Sequence, residues 1–283
     1  MMLRRLTLAL LFLVLVSLPV CAADVDLLMG NPSQASPDPS QKNNFLMNKE
    51  FFALSYNNSK GTPNWVSWHL TTAYFGDAPR KRQFDSDDAL PSGFTKITHR
   101  DYTNSGFDRG HMCPHSDRDK TTAMSFATFV MTNIVPQSNE SNAGAWNQLE
   151  LYARSLVTDK GKELYIIAGP QGIRGEGRNG FKNIIADGKV TVPNKVWKVI
   201  MVLDANDNDQ DVERVDADTR LIAVIMPNDR SVSQDNWWRY RVSVKDVEEL
   251  TGYTFFDTVP ADIINPLKGE VDSEFIPVIA RDH

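Results

Sequence analysis

Three apolar, β-branched runs set the terms on which this chain can fold: Leu164–Ala168, Val196–Leu203 and Leu221–Met226. Each is short and rich in Val, Ile and Leu, so each reads as a buried strand. Phe51–Tyr56 and Trp65–Leu70 add a hairpin across the turn-rich NNSKGTPN, and Phe126–Thr132 reads as a further strand. Two segments carry the helical period instead. Asn142–Leu156 places Ala145, Leu149, Tyr152, Ala153 and Leu156 on one face, and a helix from about Val244 to Leu250 has Ser243 as its cap and Gly252 as its stop. Strands and helices do not alternate strictly. The expected class is therefore α+β, with a mixed or antiparallel central sheet and flanking helices.

Residues 1–23 read as a signal peptide. Arg4 and Arg5 precede the apolar core Leu6–Val16, and small residues follow at Ala22 and Ala23. That core is too short to span a bilayer, and no later stretch resembles a membrane helix. The expected location is exported, periplasmic or extracellular, with no membrane attachment after cleavage. Removing Cys21 with the signal leaves Cys113 as one thiol and no internal disulfide. Residues 24–44, rich in Pro and Ser, read as a flexible N-terminal arm, and 45–283 as a single domain.

Two motif matches fail on context. Gly175–Gly180 fits G-x-G-x-x-G, but the following FKNIIADGKVTVP reads as strand and turn, whereas a dinucleotide site needs a helix to open there. Asp204–Asn208 opens like a calcium loop, but Asp209 and Val215 stand where Gly and Glu are required.

The informative stretch is Phe107-Asp108-Arg109-Gly110-His111-Met112-Cys113-Pro114-His115-Ser116-Asp117-Arg118. It is followed by Thr132-Asn133-Ile134-Val135-Pro136-Gln137, and then by Asn142, Trp146, Glu150 and Arg154 at intervals of four. By itself the last set could be a solvated helix flank with a weak Glu150–Arg154 pair. In order and together, DRGH, T-N-x-x-P-Q and N-x-x-x-W-x-x-x-E resemble the sugar-nonspecific DNA/RNA endonucleases of the ββα-metal, or His-Me finger, class. LMGNPS, NNSKGTPNWVSWHL, the APR before Gln83, KELYIIAGP and VSVKDVEELTGY extend the likeness over most of the chain, and the leader points to the exported bacterial branch.

That resemblance implies a ββα-metal finger active site and a Mg²⁺-dependent endonuclease, with Mn²⁺ as a possible substitute. The enzyme would cut DNA and RNA with little sequence preference and leave 5′-phosphate and 3′-hydroxyl ends. It implies His111 as general base, Asn142 as direct metal ligand and Glu150 as ligand through water. Arg80, Arg109 and Arg154 would engage phosphate, and Asn133 would position the site. Imidazole titrates near neutrality, a neutral amide oxygen suits a hydrated Mg²⁺, and guanidinium forks match phosphate oxygens.

Cys113 and His115 depart from the family pattern. With His111 they form H-x-C-x-H, which leaves a zinc phosphodiesterase open as an alternative, beside an inactive nucleic-acid-binding member of the fold. Neither a dedicated protein inhibitor nor the oligomeric state can be read from the residues.

Charge excludes a generic basic coat protein: the whole chain has 30 basic and 36 acidic side chains, and loss of Arg4 and Arg5 leaves 28 basic ones. Much of the imbalance is local, since residues 204–218 hold seven acids and one base, Arg214. A positive cleft around Arg80-Lys81-Arg82, Arg109 and Arg154 is therefore compatible with an acidic total.

Overall fold

The computed structural model describes residues 25–206, 210–234 and 236–276. The signal segment and most of the final residues, 277–283, lie outside them, as does the middle of the calcium-like loop, 207–209.

In chain order the first six strands are β1 (Phe45–Asn48), β2 (Ala53–Asn57), β3 (Thr62–Leu70), β4 (Asp108–His111), β5 (Ile134–Gln137) and β6 (Lys162–Gln171). Four short ones follow: β7 (Gly175–Gly177), β8 (Gly180–Lys182), β9 (Ile184–Ile185) and β10 (Val190–Thr191). The series ends with β11 (Lys195–Asp204), β12 (Arg220–Pro227) and β13 (Arg241–Val242). The three apolar runs are thus β6, β11 and β12, and they lie side by side. A seven-stranded sheet has the order β1-β2-β3-β6-β11-β12-β13, and every pairing in it is antiparallel.

Successive side chains on a strand point to opposite faces, and here both faces are covered. Leu164, Ile166, Val196 and Ile200 join Trp68 and Leu70 on one side. There they meet Leu149, Ala153 and Leu156 of helix α2 (Asn147–Lys160), which follows a short helix α1 (Thr122–Ala127). Tyr165, Ile167, Trp197 and Val199 form the other core with helices α3 (Val244–Thr251) and α4 (Ala261–Lys268). Burial of each large aliphatic side chain in these layers is worth about 1.5–3 kcal/mol before entropy is counted.

Three expectations change. Residues 25–44 do not stand apart as an arm: Met29 and Ala35 are buried in the second core, and Trp65 Nε1 donates to Ser33 Oγ at 2.7 Å. Pro and Ser there shape turns against the sheet rather than a linker, with Asn31 Oδ1 accepting from the Ala35 N–H at 2.8 Å. Phe126–Thr132 is not a strand. Thr121 caps α1 by accepting from the Met124 N–H at 3.2 Å, and a tight turn over Met131–Asn133 precedes β5. The predicted helix at Asn142 begins instead as a wide π-type turn over Ser141–Trp146 and becomes regular only at Asn147. It ends at Gly161, whose φ of 64° closes the last turn.

Strands β4 and β5 pair outside the main sheet, with His111 opposite Ile134 and Gly110 opposite Val135. With α2 they form a ββα unit on the sheet's first face. Gly110 is required by this pairing: a Cβ there would sit 2.2 Å from Gln137 Oε1 and 2.7 Å from Gln137 Cβ.

Candidate active site

The DRGH strand ends at His111, and the turn after it is fastened from below by Asn133. The Asn133 amide donates to the carbonyls of Cys113 at 2.8 Å and Thr128 at 2.9 Å, while its oxygen accepts from the Cys113 N–H at 2.9 Å. The Met112 N–H donates to the Asn133 carbonyl at 3.0 Å. Asn133 is fully buried, so it acts on the site by holding the chain that carries His111.

The His111 ring sits in an aromatic corner, 4.8 Å from Phe129 edge-on and 5.2 Å from Phe84. Its Nε2 is buried and without a hydrogen-bond partner. Burial, and then the nearby charges of Arg80 and His115, push its pKa down to about 3. Desolvation disfavours the cation, and neighbouring positive charge disfavours it further. The imidazole is neutral and able to accept a proton.

A cavity of about 290 Å³ opens at this ring, and Arg80, His111, Asn142, Glu150 and Arg154 all line it. Three of these come from one segment. The π-type turn places Asn142, and α2 presents Glu150 and Arg154 one turn apart. The pair expected between Glu150 and Arg154 is not the one formed. Arg154 reaches Asp117 Oδ1 at 2.9 Å, and Asp117 Oδ2 accepts from Trp68 Nε1 at 2.9 Å. Glu150 lies 3.5 Å from the buried Lys198 Nζ, which also sits 4.2 Å over the Trp146 ring. Burial raises the Glu150 carboxyl's pKa, with Lys198 opposing the rise, and burial lowers that of Lys198.

Asn142 is oriented from outside the cavity. Asp108 Oδ2 lies 3.2 Å from its Nδ2 and also accepts from Asn139 Nδ2 at 2.8 Å. A carboxylate only accepts, so the amide nitrogen must face it, and the amide oxygen is left for the cavity.

Arg109 stands apart from this group. It donates to the His99 carbonyl at 2.6 Å and lies 5.9 Å over both Phe84 and Tyr102, lining a neighbouring cleft rather than the His111 cavity. The H-x-C-x-H zinc alternative does not assemble. Cys113 is fully buried, its thiol held protonated by burial, and it does not line the cavity. Among the described residues, the one trio of His, Cys, Asp or Glu side chains close enough to share an ion is His69, Glu163 and Asp211. Arg214 already bridges Glu163 and Asp211 there, at 2.6 Å to each.

Lys198 and Asp117 are the members of the site that sequence reasoning missed. Lys198 had a visible signal: it is the one charge inside the run from Val196 to Leu203, on the same strand face as Val196 and Ile200. Asp117 lies within the DRGH stretch, but its role was not legible there, because its partners Arg154 and Trp68 come from distant elements.

The chain matches the DNA/RNA non-specific endonuclease family over residues 30–262. It belongs to that family. A nuclease from Nostoc sp. (strain PCC 7120) is 46% identical over 249 residues, covering 88% of this chain and 86% of the relative. Nuclease C1 of Cunninghamella echinulata is 32% identical, covering 81% of this chain and 89% of the relative. Human mitochondrial nuclease EXOG is 32% identical over 72% of this chain, which spans 55% of that longer protein. A solved EndoG/EndoGI complex shares the fold, with a TM-score of 0.68 at 24% identity, covering 84% of this chain and 92% of that one. As a family member this protein is a non-specific DNA/RNA endonuclease.

Proposed function

We propose that the enzyme hydrolyses phosphodiester bonds at the His111 cavity with the help of a divalent cation, Mg²⁺ or Mn²⁺, leaving 5′-phosphate and 3′-hydroxyl ends. The observation that carries this reading is the convergence of one neutral imidazole, one amide oxygen, one carboxylate and two guanidinium groups on a single cavity.

The residues fit such a cation. Asn142 offers a neutral oxygen because Asp108 occupies its nitrogen, and Glu150 is placed to accept hydrogen bonds from coordinated water. When bound, the cation supplies Lewis-acid stabilisation of charge on the phosphate and on the leaving oxygen. The protein does the rest. His111 takes a proton from water as the water oxygen bonds to phosphorus and the bond to the 3′ oxygen breaks; that oxygen leaves with the electron pair and takes a proton from solvent water to become the 3′-hydroxyl. Arg80 and Arg154 bind the non-bridging oxygens, and Asp117 fixes the direction of Arg154. Burial is the main cause of the depressed His111 pKa, and phosphate entry beside Arg80 would offset the positive charge that adds to it, shifting the imidazole toward a stronger base. Contacts of this kind read the backbone and not the base edges, which suits cleavage without sequence preference.

The leader over residues 1–23 supports export to the periplasm or medium as the place of action. Supercoiled plasmid and RNA, incubated with Mg²⁺ and with EDTA, test the reading. Both should be cut only with the metal, and His111→Ala should lower the rate by about 10²–10⁴ while the protein stays folded. A folded His111→Ala variant with wild-type rate rejects it.

A further inference from the structure

The G-x-G-x-x-G stretch has no nucleotide-binding helix, but the structure gives its glycines another use. Gly175–Gly177 and Gly180–Lys182 form the β7–β8 hairpin, with Arg178 and Asn179 at its tip. The tip is pressed against the loop that leads into DRGH. The Arg178 N–H donates to the Gly106 carbonyl at 2.9 Å, and Asn179 Nδ2 donates to the Asn104 carbonyl at 3.3 Å. A Cβ on Gly177 would lie 2.4 Å from the Gly106 carbonyl oxygen, so only glycine permits this approach.

The contact creates a cleft of about 710 Å³ next to the catalytic cavity, walled by Phe84, Tyr102, Asp108, Arg109, Arg178 and Asn179. Phe84 connects the two: it lines the cleft, and its ring lies 5.2 Å from the His111 ring and 5.9 Å from the Arg109 guanidinium. Arg178 is 65% exposed, and its approach to Asp108 Oδ1, at 3.6 Å, is too long for a hydrogen bond. The same hairpin carries Arg174 5.2 Å over the exposed Phe181 ring, followed by Lys182. Cationic side chains interleaved with an exposed aromatic, beside a phosphate-cutting cavity, are the elements that track a polynucleotide strand.

The geometry points to a second backbone subsite in this cleft, where Arg178 and Asn179 grip the phosphate next to the one being cut. The inference rests on the proposed role of the His111 cavity. It assigns the hairpin to substrate binding, outside the bond-breaking step.

The test compares a long thymidylate polymer with a dinucleotide that ends before the cleft. Arg178→Ala should raise KM for the polymer several-fold with kcat unchanged, leave the dinucleotide's KM where it was, and reduce the slope of log KM against log salt by about 0.7. Arg178→Lys should recover part of the loss, and Lys245→Ala, an exposed charge on α3, should not move the salt slope. Wild-type KM and salt slope for Arg178→Ala on the polymer overturn the inference. So does a rise in the Mg²⁺ concentration needed for half-maximal rate, because Arg178 would then act only by bracing Asp108. Absence of cleavage of the polymer by the wild-type enzyme would instead reject the proposed cavity chemistry.

Discussion

Asp108 holds the amide of Asn142, with Oδ2 at 3.2 Å from Nδ2, and so decides which end of that amide faces the catalytic cavity. The aspartate of DRGH thus acts directly on Asn142, the residue proposed to hold the metal. Asp108→Asn places an amide that can both donate and accept opposite Asn142 and lets the ligand turn over. Removing an outer partner of this kind typically costs 10–100-fold in metal affinity or activity. The expected result is an increase of about that size in the Mg²⁺ concentration needed for half-maximal cleavage, with activity returning at high metal. A variant whose metal dependence matches wild type would show that Asp108 does not set the orientation of Asn142.

His111, with its pKa pushed down to about 3, should remain neutral well below the ordinary imidazole range. Proton NMR of the metal-free protein should show no His111 titration near pH 6.5. Arg80→Ala removes a positive neighbour and should move the midpoint upward. Linkage gives a second readout. The unfolded chain binds a proton at this residue below about 6.5, and the folded chain does not. The protein therefore loses stability from this group as pH falls from about 6.5 toward 3, by about 1.4 kcal/mol per pH unit. His111→Asn should flatten that part of the stability profile. A normal His111 midpoint, with no change of slope in the variant, contradicts the assignment.

The parts of this molecule that sequence shows well are those set by local period or by one compact motif. The apolar runs became β6, β11 and β12, and Ser243 and Gly252 bound α3 as expected. The residues proposed for catalysis were named from DRGH, from the T-N-x-x-P-Q and APR segments and from the set beginning at Asn142, and five of them (Arg80, His111, Asn142, Glu150 and Arg154) share one cavity. What the sequence hid depends on long-range packing. Phe126 and Phe129 look like strand residues, yet Thr121 caps a helix there, and Phe129 turns inward against His111. The even spacing from Asn142 to Arg154 suggests one regular helix, but the π-type turn resets its phase before Asn147. Helix α4 was missed because Pro266 argues against a helix locally. It stands near the C-terminal end, where the burial of Ile264 and Leu267 outweighs it.

Gly110 leaves no room for a side chain beside Gln137 of β5, and its substitution tests the ββα unit itself. In Gly110→Ala the new methyl would meet Gln137 Oε1 at 2.2 Å and Cβ at 2.7 Å, and Gln137 is fully buried. Overpacking of this kind costs about 1–3 kcal/mol. Thermal unfolding should shift down by several degrees, and cleavage should fall further than stability alone explains, because His111 is the next residue on the displaced strand. An unchanged Tm with full activity would mean that the two strands can separate without moving the site.

Lys198 carries a charge into the core, and Glu150 is the carboxylate it lies against, at 3.5 Å. Lys198→Met keeps the apolar stem packed on Trp146 and Trp68 but leaves Glu150 without its cation. Breaking a buried pair from one side costs about 3–5 kcal/mol, largely through the charge left behind. Lys198→Met should therefore be strongly destabilised in urea unfolding. Lys198→Met with Glu150→Gln should regain much of that loss, since a neutral amide needs no counter-charge. The pH dependence follows from the same cause. Burial already raises the Glu150 carboxyl, and loss of Lys198 raises it further. A carboxyl that binds its proton more readily folded than unfolded gains relative stability as pH falls. The deficit of Lys198→Met against wild type should therefore shrink on acidification, while that of the double variant should not. Additive effects of the two substitutions, with no dependence on pH, would show that Glu150 and Lys198 are not coupled.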